Sequence, residues 1–228
     1  MKARLPFPIL HEDRDVIVID KPAGMLTTRT RAKELNTAEE WLNDYVRKGQ
    51  SRSRRRVWLV HRLDRETSGV MMFAKSEEVA EWFRAGWSEL TEKTYRARVE
   101  GELAEDHGVF ESYLQEDADG YKVRSVAAPV PGRAPRAFRA KPPKLARTEW
   151  RRISAEDGTT LVEVALKSGR KNQIRVHFSE AGHPVVGDVK YGGRKARRLY
   201  LHSAKLRFRH PHSGAWMEFV SPAPRGLA

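Results

Sequence analysis

The 228-residue chain contains no cysteine, which excludes disulfides, Cys-ligated zinc and thiol nucleophiles and suits a reducing compartment. Acidic residues are in short supply: 43 Lys and Arg stand against 30 Asp and Glu, a net charge of +13. An imbalance of that size points to a polyanionic partner, either nucleic acid or an anionic membrane surface. Long apolar runs are missing, and none approaches the roughly 18 residues that span a bilayer. The opening residues, Met1-Lys2-Ala3-Arg4-Leu5-Pro6-Phe7-Pro8, lack the apolar stretch of a secretory signal. The expectation is a cytoplasmic protein without a membrane anchor. Metal spacing is missing too: the eight His are scattered, and the nearest pair is His210-Pro211-His212. Neither Gly-x-Gly-x-x-Gly nor a Gly-Lys-Ser/Thr phosphate loop occurs, and the Gly-x-Ser-x-Gly elbow of a serine hydrolase is absent. The chemistry expected is therefore free of metal and cofactor.

What is present reads as a single α+β domain, with a core from about residue 15 to 222 and a mixed, mainly antiparallel sheet flanked by helices and loops. Strands are expected at 15–20, 57–60, 70–74 and 93–99, in hairpins over 109–123 and 148–166, and at 199–202 and 216–220. In Lys93–Val99 the alternation is strict: Tyr95, Ala97 and Val99 share one face, and Thr94, Arg96 and Arg98 the other. Thr37-Ala38-Glu39-Glu40 has the form of a capping box before a helix over about 37–48. Ser76 can cap a second helix carrying Val79, Ala80, Trp82, Phe83 and Trp87, and Asn172 to Ala181 reads as a third that stops at Gly182. Two segments are expected on the surface. One is the basic loop 47–56, where Arg52, Arg54, Arg55 and Arg56 are candidate phosphate contacts. The other is 128–147, rich in basic residues and interrupted by Pro129, Pro131, Pro135, Pro142 and Pro143.

The most informative stretch is His61-Arg62-Leu63-Asp64-Arg65-Glu66-Thr67-Ser68-Gly69. Apolar strands flank it, yet it holds five charged or titratable groups within six residues, more than a plain turn requires. A charged loop fixed between core strands is a way to present reactive groups; a solvated strand connection is the bland alternative.

This stretch resembles the signature of the RluA family of pseudouridine synthases. Four further segments match in order: Asp15–Asp20 with Lys21-Pro22-Ala23-Gly24; Glu92-Lys93-Thr94-Tyr95; Ser168–His177 with Gly182–Gly192; and Leu201-His202-Ser203 with Leu206. Lys171-Asn172 departs from the Thr-His or similar pair that many members carry. The chain is expected to begin at the catalytic domain, without the small S4-type RNA-binding domain of several members.

The resemblance implies isomerisation of uridine to pseudouridine in structured rRNA or tRNA. Uracil is detached at N1, rotated and rejoined through C5, without metal or cofactor. It gives Asp64 as the nucleophile, which must be ionised to act; Arg175 as its cationic partner; and Tyr95 as the residue that stacks on the base and assists removal of the C5 proton. Ile174 would pack on the ring. Arg62 and Arg65 would replace the extruded base or hold flanking phosphates, and His61 and Gln173 would line the substrate site. Attack at C6 of the base and at C1′ of the ribose both remain open. A non-catalytic RNA-binding or folding factor would use the basic surface but not Asp64. A nucleoside or glycoside hydrolase would want a second carboxylate, for which Glu66 is the only nearby acid. A monomer acting on RNA is the expected assembly.

Overall fold

The computed structural model describes residues 5–29, 35–50, 52–129 and 141–228. Along the chain the elements are β1 (Ile9–Glu12), β2 (Val16–Lys21), α1 (Ala38–Arg47), β3 (Trp58–Leu59), β4 (Ser68–Ala74), α2 (Glu77–Leu90), β5 (Thr91–Glu100), β6 (His107–Glu116), β7 (Val123–Val126), β8 (Lys144–Glu156), β9 (Thr159–Leu166), α3 (Gln173–Glu180), a 3-10 turn (Val189–Tyr191), β10 (Leu201–Arg209) and β11 (Trp216–Val220). They form two compact units, one from Met1–Lys93 and Leu201–Gly226 and one from Thr94–Tyr200. The chain passes between them inside β5 and again at Leu201, so no Gly- or Pro-rich connector marks the boundary.

In the first unit β2 is the organising strand. Val16, Ile17, Val18 and Ile19 are fully buried, as a strand covered on both faces requires. It pairs antiparallel with β1 and with β4, from Val16↔Ala74 to Lys21↔Gly69. β10 then lies parallel to β4 through His202↔Ser68 and Ser203↔Gly69, and β11 is antiparallel to β10. Val16, Val18, Val70, Met72, Phe83, Leu206 and Phe208 form the core, with Phe83 edge-on to Phe208 at 5.7 Å. The capping box predicted for α1 is present: the Thr37 hydroxyl accepts from the Glu40 amide while the Glu40 carboxylate accepts from the Thr37 amide. The Ser76 hydroxyl caps α2 by accepting from the Val79 amide.

The second unit is antiparallel, with β5 beside β9, β9 beside β8, β8 beside β6 and β6 beside β7. Helix α3 packs on it with Gln173 through Phe178 buried, and Phe178 meets Phe110 edge-on at 5.1 Å.

Three boundaries differ from expectation. Residues 205–209 are strand, because Leu206 and Phe208 point into the core while Lys205, Arg207 and Arg209 point out; the charges hide an ordinary period of two. Residues 144–147 of the Pro-rich stretch belong to β8, where Ala146 is fully buried. The first hairpin returns at Val123 rather than Tyr121, since Asp117 binds the intervening amides. Residues 130–140 of the Pro-rich stretch and Ser51 of the basic segment lie outside the described residues.

Gly69 links the charged loop to this framework. Its φ is +112°, and a Cβ there would lie 2.2 Å from the Ser203 carbonyl oxygen. Only glycine lets β4 approach β10 this closely with that backbone. Gly69→Ala is expected to lower unfolding stability by roughly 2–4 kcal/mol in urea denaturation. A loss below about 0.5 kcal/mol, typical of a neutral surface substitution, would contradict the close approach.

Candidate active site

The loop from His61 to Thr67 is held at several points within the first unit. Leu63 is buried, and both its backbone groups bind one hydroxyl: Thr27 Oγ1 donates to the Leu63 carbonyl at 3.0 Å and accepts from its amide at 3.3 Å. The Thr67 amide donates to the Asp64 carbonyl at 3.1 Å, closing a turn directly after Asp64. The Gly24 amide donates to the Arg65 carbonyl at 2.8 Å, and Arg65 Nε returns a bond to the Gly24 carbonyl at 3.2 Å. Beneath this contact lies Lys21, fully buried, whose ammonium donates to the carbonyls of Pro22 at 2.9 Å, Met25 at 2.8 Å and Arg65 at 3.2 Å. The Lys-Pro-Ala-Gly turn is thus bonded to the residue that follows Asp64.

Asp64 is half-buried, and Arg62, Arg65 and Glu66 are exposed. Glu66 lies 4.0 Å from Arg65 Nε. His61 faces inward: its Nε2 accepts from the Met72 amide at 3.0 Å, and its ring stacks on Trp87 with centroids 4.7 Å apart. Burial, reinforced by the Lys93 ammonium, pushes the His61 pKa down to about 3. The neutral ring that results is the form able to accept from Met72. Past the loop, Ser68 Oγ and His202 Nδ1 are 2.8 Å apart, and His202 Nε2 lies 3.3 Å from the Ser221 carbonyl. A proton on Nε2 serves that carbonyl, so the Ser68 hydroxyl donates to Nδ1. This buried pair ties β4 to β10 and is unsuited to nucleophilic attack.

The other named residues belong to the second unit. Tyr95 is on β5 opposite Val164 and is 8% exposed. Ile174 and Arg175 open α3 and are buried. The Arg175 guanidinium forms a two-pronged pair with Asp188, Nε to Oδ2 at 2.6 Å and Nη2 to Oδ1 at 2.8 Å, and its carbon lies 5.1 Å from the centre of the Tyr191 ring. Asp188 is 1% exposed, so this is a desolvated, charge-assisted pair. The Gln173 amide is engaged at both ends: Oε1 accepts from Ser168 Oγ at 2.8 Å and the Arg170 amide at 3.0 Å, while Nε2 donates to the Arg147 carbonyl at 3.0 Å and Thr148 Oγ1 at 2.9 Å. The departure at Lys171-Asn172 also has a local use. Lys171 donates to the Gly120 carbonyl, and Asn172, left-handed at φ 52°, takes Lys190 Nζ at 3.2 Å and the Tyr191 hydroxyl at 3.1 Å on its Oδ1. Arg52, Arg54, Arg55 and Arg56 are exposed, with Arg56 resting 5.3 Å from the centre of the Trp58 ring.

The sequence motifs point to the expected substrate-facing residues but not to those that hold them. Lys21, Thr27, Asp188 and Tyr191 were missed as site members, although three of them stand within or beside quoted motifs. A Lys closing an apolar strand was the available signal for Lys21; Thr27 had none. Among the described residues the one cluster with metal-like spacing is Asp13, Asp15 and His210. There the Asp13 carboxylate is engaged by His11 at 2.7 Å, His210 at 3.1 Å and two backbone amides.

His61 imposes a pH dependence. The folded state keeps the ring neutral down to about pH 3, while the unfolded chain takes up a proton below about 6.5. Its contribution is complete above pH 6.5 and is lost as the pH falls toward 3, at up to about 1.4 kcal/mol per pH unit. His61→Gln, which can still accept from Met72, should flatten the stability profile between pH 6.5 and 5 by nearly that slope in urea titrations. An unchanged slope would mean that His61 protonates freely in the folded protein.

Comparison with known proteins identifies the family and the fold. The family described as RNA pseudouridylate synthase matches residues 15–180. The tRNA pseudouridine synthase C of Vibrio parahaemolyticus is 36% identical, over 92% of this chain and 87% of its own. The dual-specificity RNA pseudouridine synthase RluA of Yersinia pestis is 33% identical, over 94% and 98% respectively. Among solved structures, human RNA pseudouridylate synthase domain containing 4 superposes with a TM-score of 0.75 at 22% identity, covering 95% of this chain and 88% of that one. Human RNA pseudouridylate synthase domain containing 1 follows with a TM-score of 0.68 at 23% identity, covering 96% and 84%. These two establish the α+β pseudouridine synthase fold. The chain belongs to the RNA pseudouridylate synthase family of RNA-modifying isomerases.

Proposed function

We propose that the protein converts specific uridines of structured tRNA or rRNA to pseudouridine, with Asp64 as the nucleophile on an extruded base. The observation that carries the reading is the fixation of Asp64. Leu63 before it is held through both backbone groups by Thr27, and Arg65 after it is held by Lys21 and Gly24. A nucleophile whose backbone is locked on both sides needs little reordering to reach its target, which lowers the entropic part of the barrier. The tRNA and dual-specificity relatives support the substrate class.

In this reading substrate RNA binds a strongly basic protein through its phosphates, and the net charge of +13 supplies the attraction. Extruding the uridine costs a few kcal/mol, offset by stacking and phosphate contacts. Arg62 and Arg65 are exposed beside Asp64 and suit that task, because guanidinium stacks on bases and binds phosphate. The exposed Arg52, Arg54, Arg55 and Arg56 extend the phosphate-binding surface. By the family resemblance Tyr95 stacks on the uracil and assists loss of the C5 proton, Ile174 packs on the ring, and Arg175 is the third catalytic residue. His61 and Gln173 act at the substrate site through the loops they brace. Reaction begins with the Asp64 carboxylate bonding to the substrate; the N1–C1′ bond breaks, the uracil turns, C5 bonds to C1′, the carboxylate is released, and the proton lost from C5 is matched by one taken up at N1. The account needs no metal or cofactor, and a monomer suffices.

The direct test is Asp64→Asn, which preserves shape and removes the charge. Incubated with RNA from a strain lacking the gene, the variant should form no pseudouridine while binding RNA within about twofold of wild type, since loss of one carboxylate removes none of the cationic phosphate contacts that carry the electrostatic affinity. Residual conversion by Asp64→Asn at the wild-type rate would remove Asp64 from the mechanism.

A further inference from the structure

The turn joining β6 to β7 carries an aromatic that the fold does not need. Tyr121 is 64% exposed at its tip, where Asp, Asn or Gly would serve. The turn itself is rigid. The Asp117 amide donates to the Lys122 carbonyl at 3.0 Å, and the Asp117 carboxylate accepts from the Tyr121 amide at 2.6 Å and the Lys122 amide at 3.0 Å. Those bonds direct the Asp117 carboxylate into the turn's own backbone, and the Glu116 carboxylate pairs with Lys141 and Lys171. The Tyr121 ring is supported from one side by the Lys190 ammonium, 4.6 Å from its centre, and Lys190 also donates to the Tyr121 carbonyl. Lys171 donates to the carbonyl of Gly120, one residue earlier. An exposed aromatic is therefore backed by one ammonium on a hydrogen-bonded turn that also bears Asp119 and Lys122.

We propose that Tyr121, backed by Lys190, is a stacking platform for an unpaired base of the RNA substrate outside the reacting nucleotide, making the β6–β7 turn a substrate-selecting element. This rests on the reading that the substrate is RNA. Base–aromatic stacking needs an open ring face and a nearby positive field, and it gains when the ring is ordered before binding. All three are present. The platform also has a route to α3 within the same unit. Lys190 and the Tyr191 hydroxyl share Asn172 Oδ1, and the Tyr191 ring lies against Arg175. The departure from the family pattern at Lys171-Asn172 then acquires a purpose: these two residues are what fasten the turn to the start of the helix.

The test compares wild type, Tyr121→Ala and Tyr121→Phe in initial rates of pseudouridine formation against increasing amounts of total RNA from a strain lacking the gene. Loss of one base stack predicts an apparent KM raised about tenfold for Tyr121→Ala, with the rate at saturation unchanged, and wild-type behaviour for Tyr121→Phe, which keeps the ring. An unchanged KM for Tyr121→Ala overturns the proposal, as does equal impairment of Tyr121→Phe, which would assign the contact to the hydroxyl. Because the side chain is largely exposed, melting temperatures of the three proteins should coincide. A wild type that modifies no uridine in this RNA would instead overturn the underlying function.

Discussion

The buried ammonium of Lys21 is the contact on which the arrangement of the first unit turns. Removing such a group from water costs several kcal/mol, and it is tolerated only when other dipoles replace the hydration shell. Three backbone carbonyls do so here, two from the turn that follows β2 and one from Arg65 in the charged loop. Each such bond to a charged group contributes about 1.5–3 kcal/mol. One tetrahedral donor thus joins segments 44 residues apart in sequence, and it does so immediately beside Asp64. A shorter or neutral side chain could not satisfy three acceptors from one point.

The second unit depends on a comparable economy. Arg175 is given its position by Asp188, a carboxylate with almost no solvent exposure, and by the Tyr191 ring. A guanidinium fixed by a two-pronged partner keeps a defined orientation, which a solvated arginine lacks. Tyr191 then passes the constraint on: its hydroxyl donates to Asn172 Oδ1 and accepts from the Val123 amide. The 3-10 turn, the start of α3 and β7 are joined through that one ring. In each unit a buried charge fixes a proposed site segment: Lys21 the carbonyl of Arg65, and Asp188 the guanidinium of Arg175.

Much of this was legible from sequence where local chemistry and burial agree. The capping box at Thr37, the strict alternation along β5 and the Asp157-Gly158 turn all follow from rules that operate within a few residues. Asp64, Tyr95 and Arg175 were named from motifs, and the family they indicate holds. Failures came where a long-range partner decides. Residues 205–209 look too basic for a strand until β11 supplies a neighbour along their whole length. Nothing local marks Lys21 as buried, because its acceptors include a carbonyl 44 positions away. For His61 and Gln173 the sequence suggests a place at the substrate site but not their bonds, which run to Met72 and to Ser168, Arg170, Arg147 and Thr148. Spacing can show which residue types are present, but hydrogen-bond capacity is spent in three dimensions.

The most direct measurement is a pseudouridine map of total RNA from a host in which the gene has been deleted, set beside the same host carrying it again. If Asp64 is the nucleophile of an RNA pseudouridine synthase, at least one pseudouridine disappears on deletion and returns with the wild-type gene but not with Asp64→Asn. An identical map in all strains, or restoration by the Asp64→Asn gene, would contradict the account.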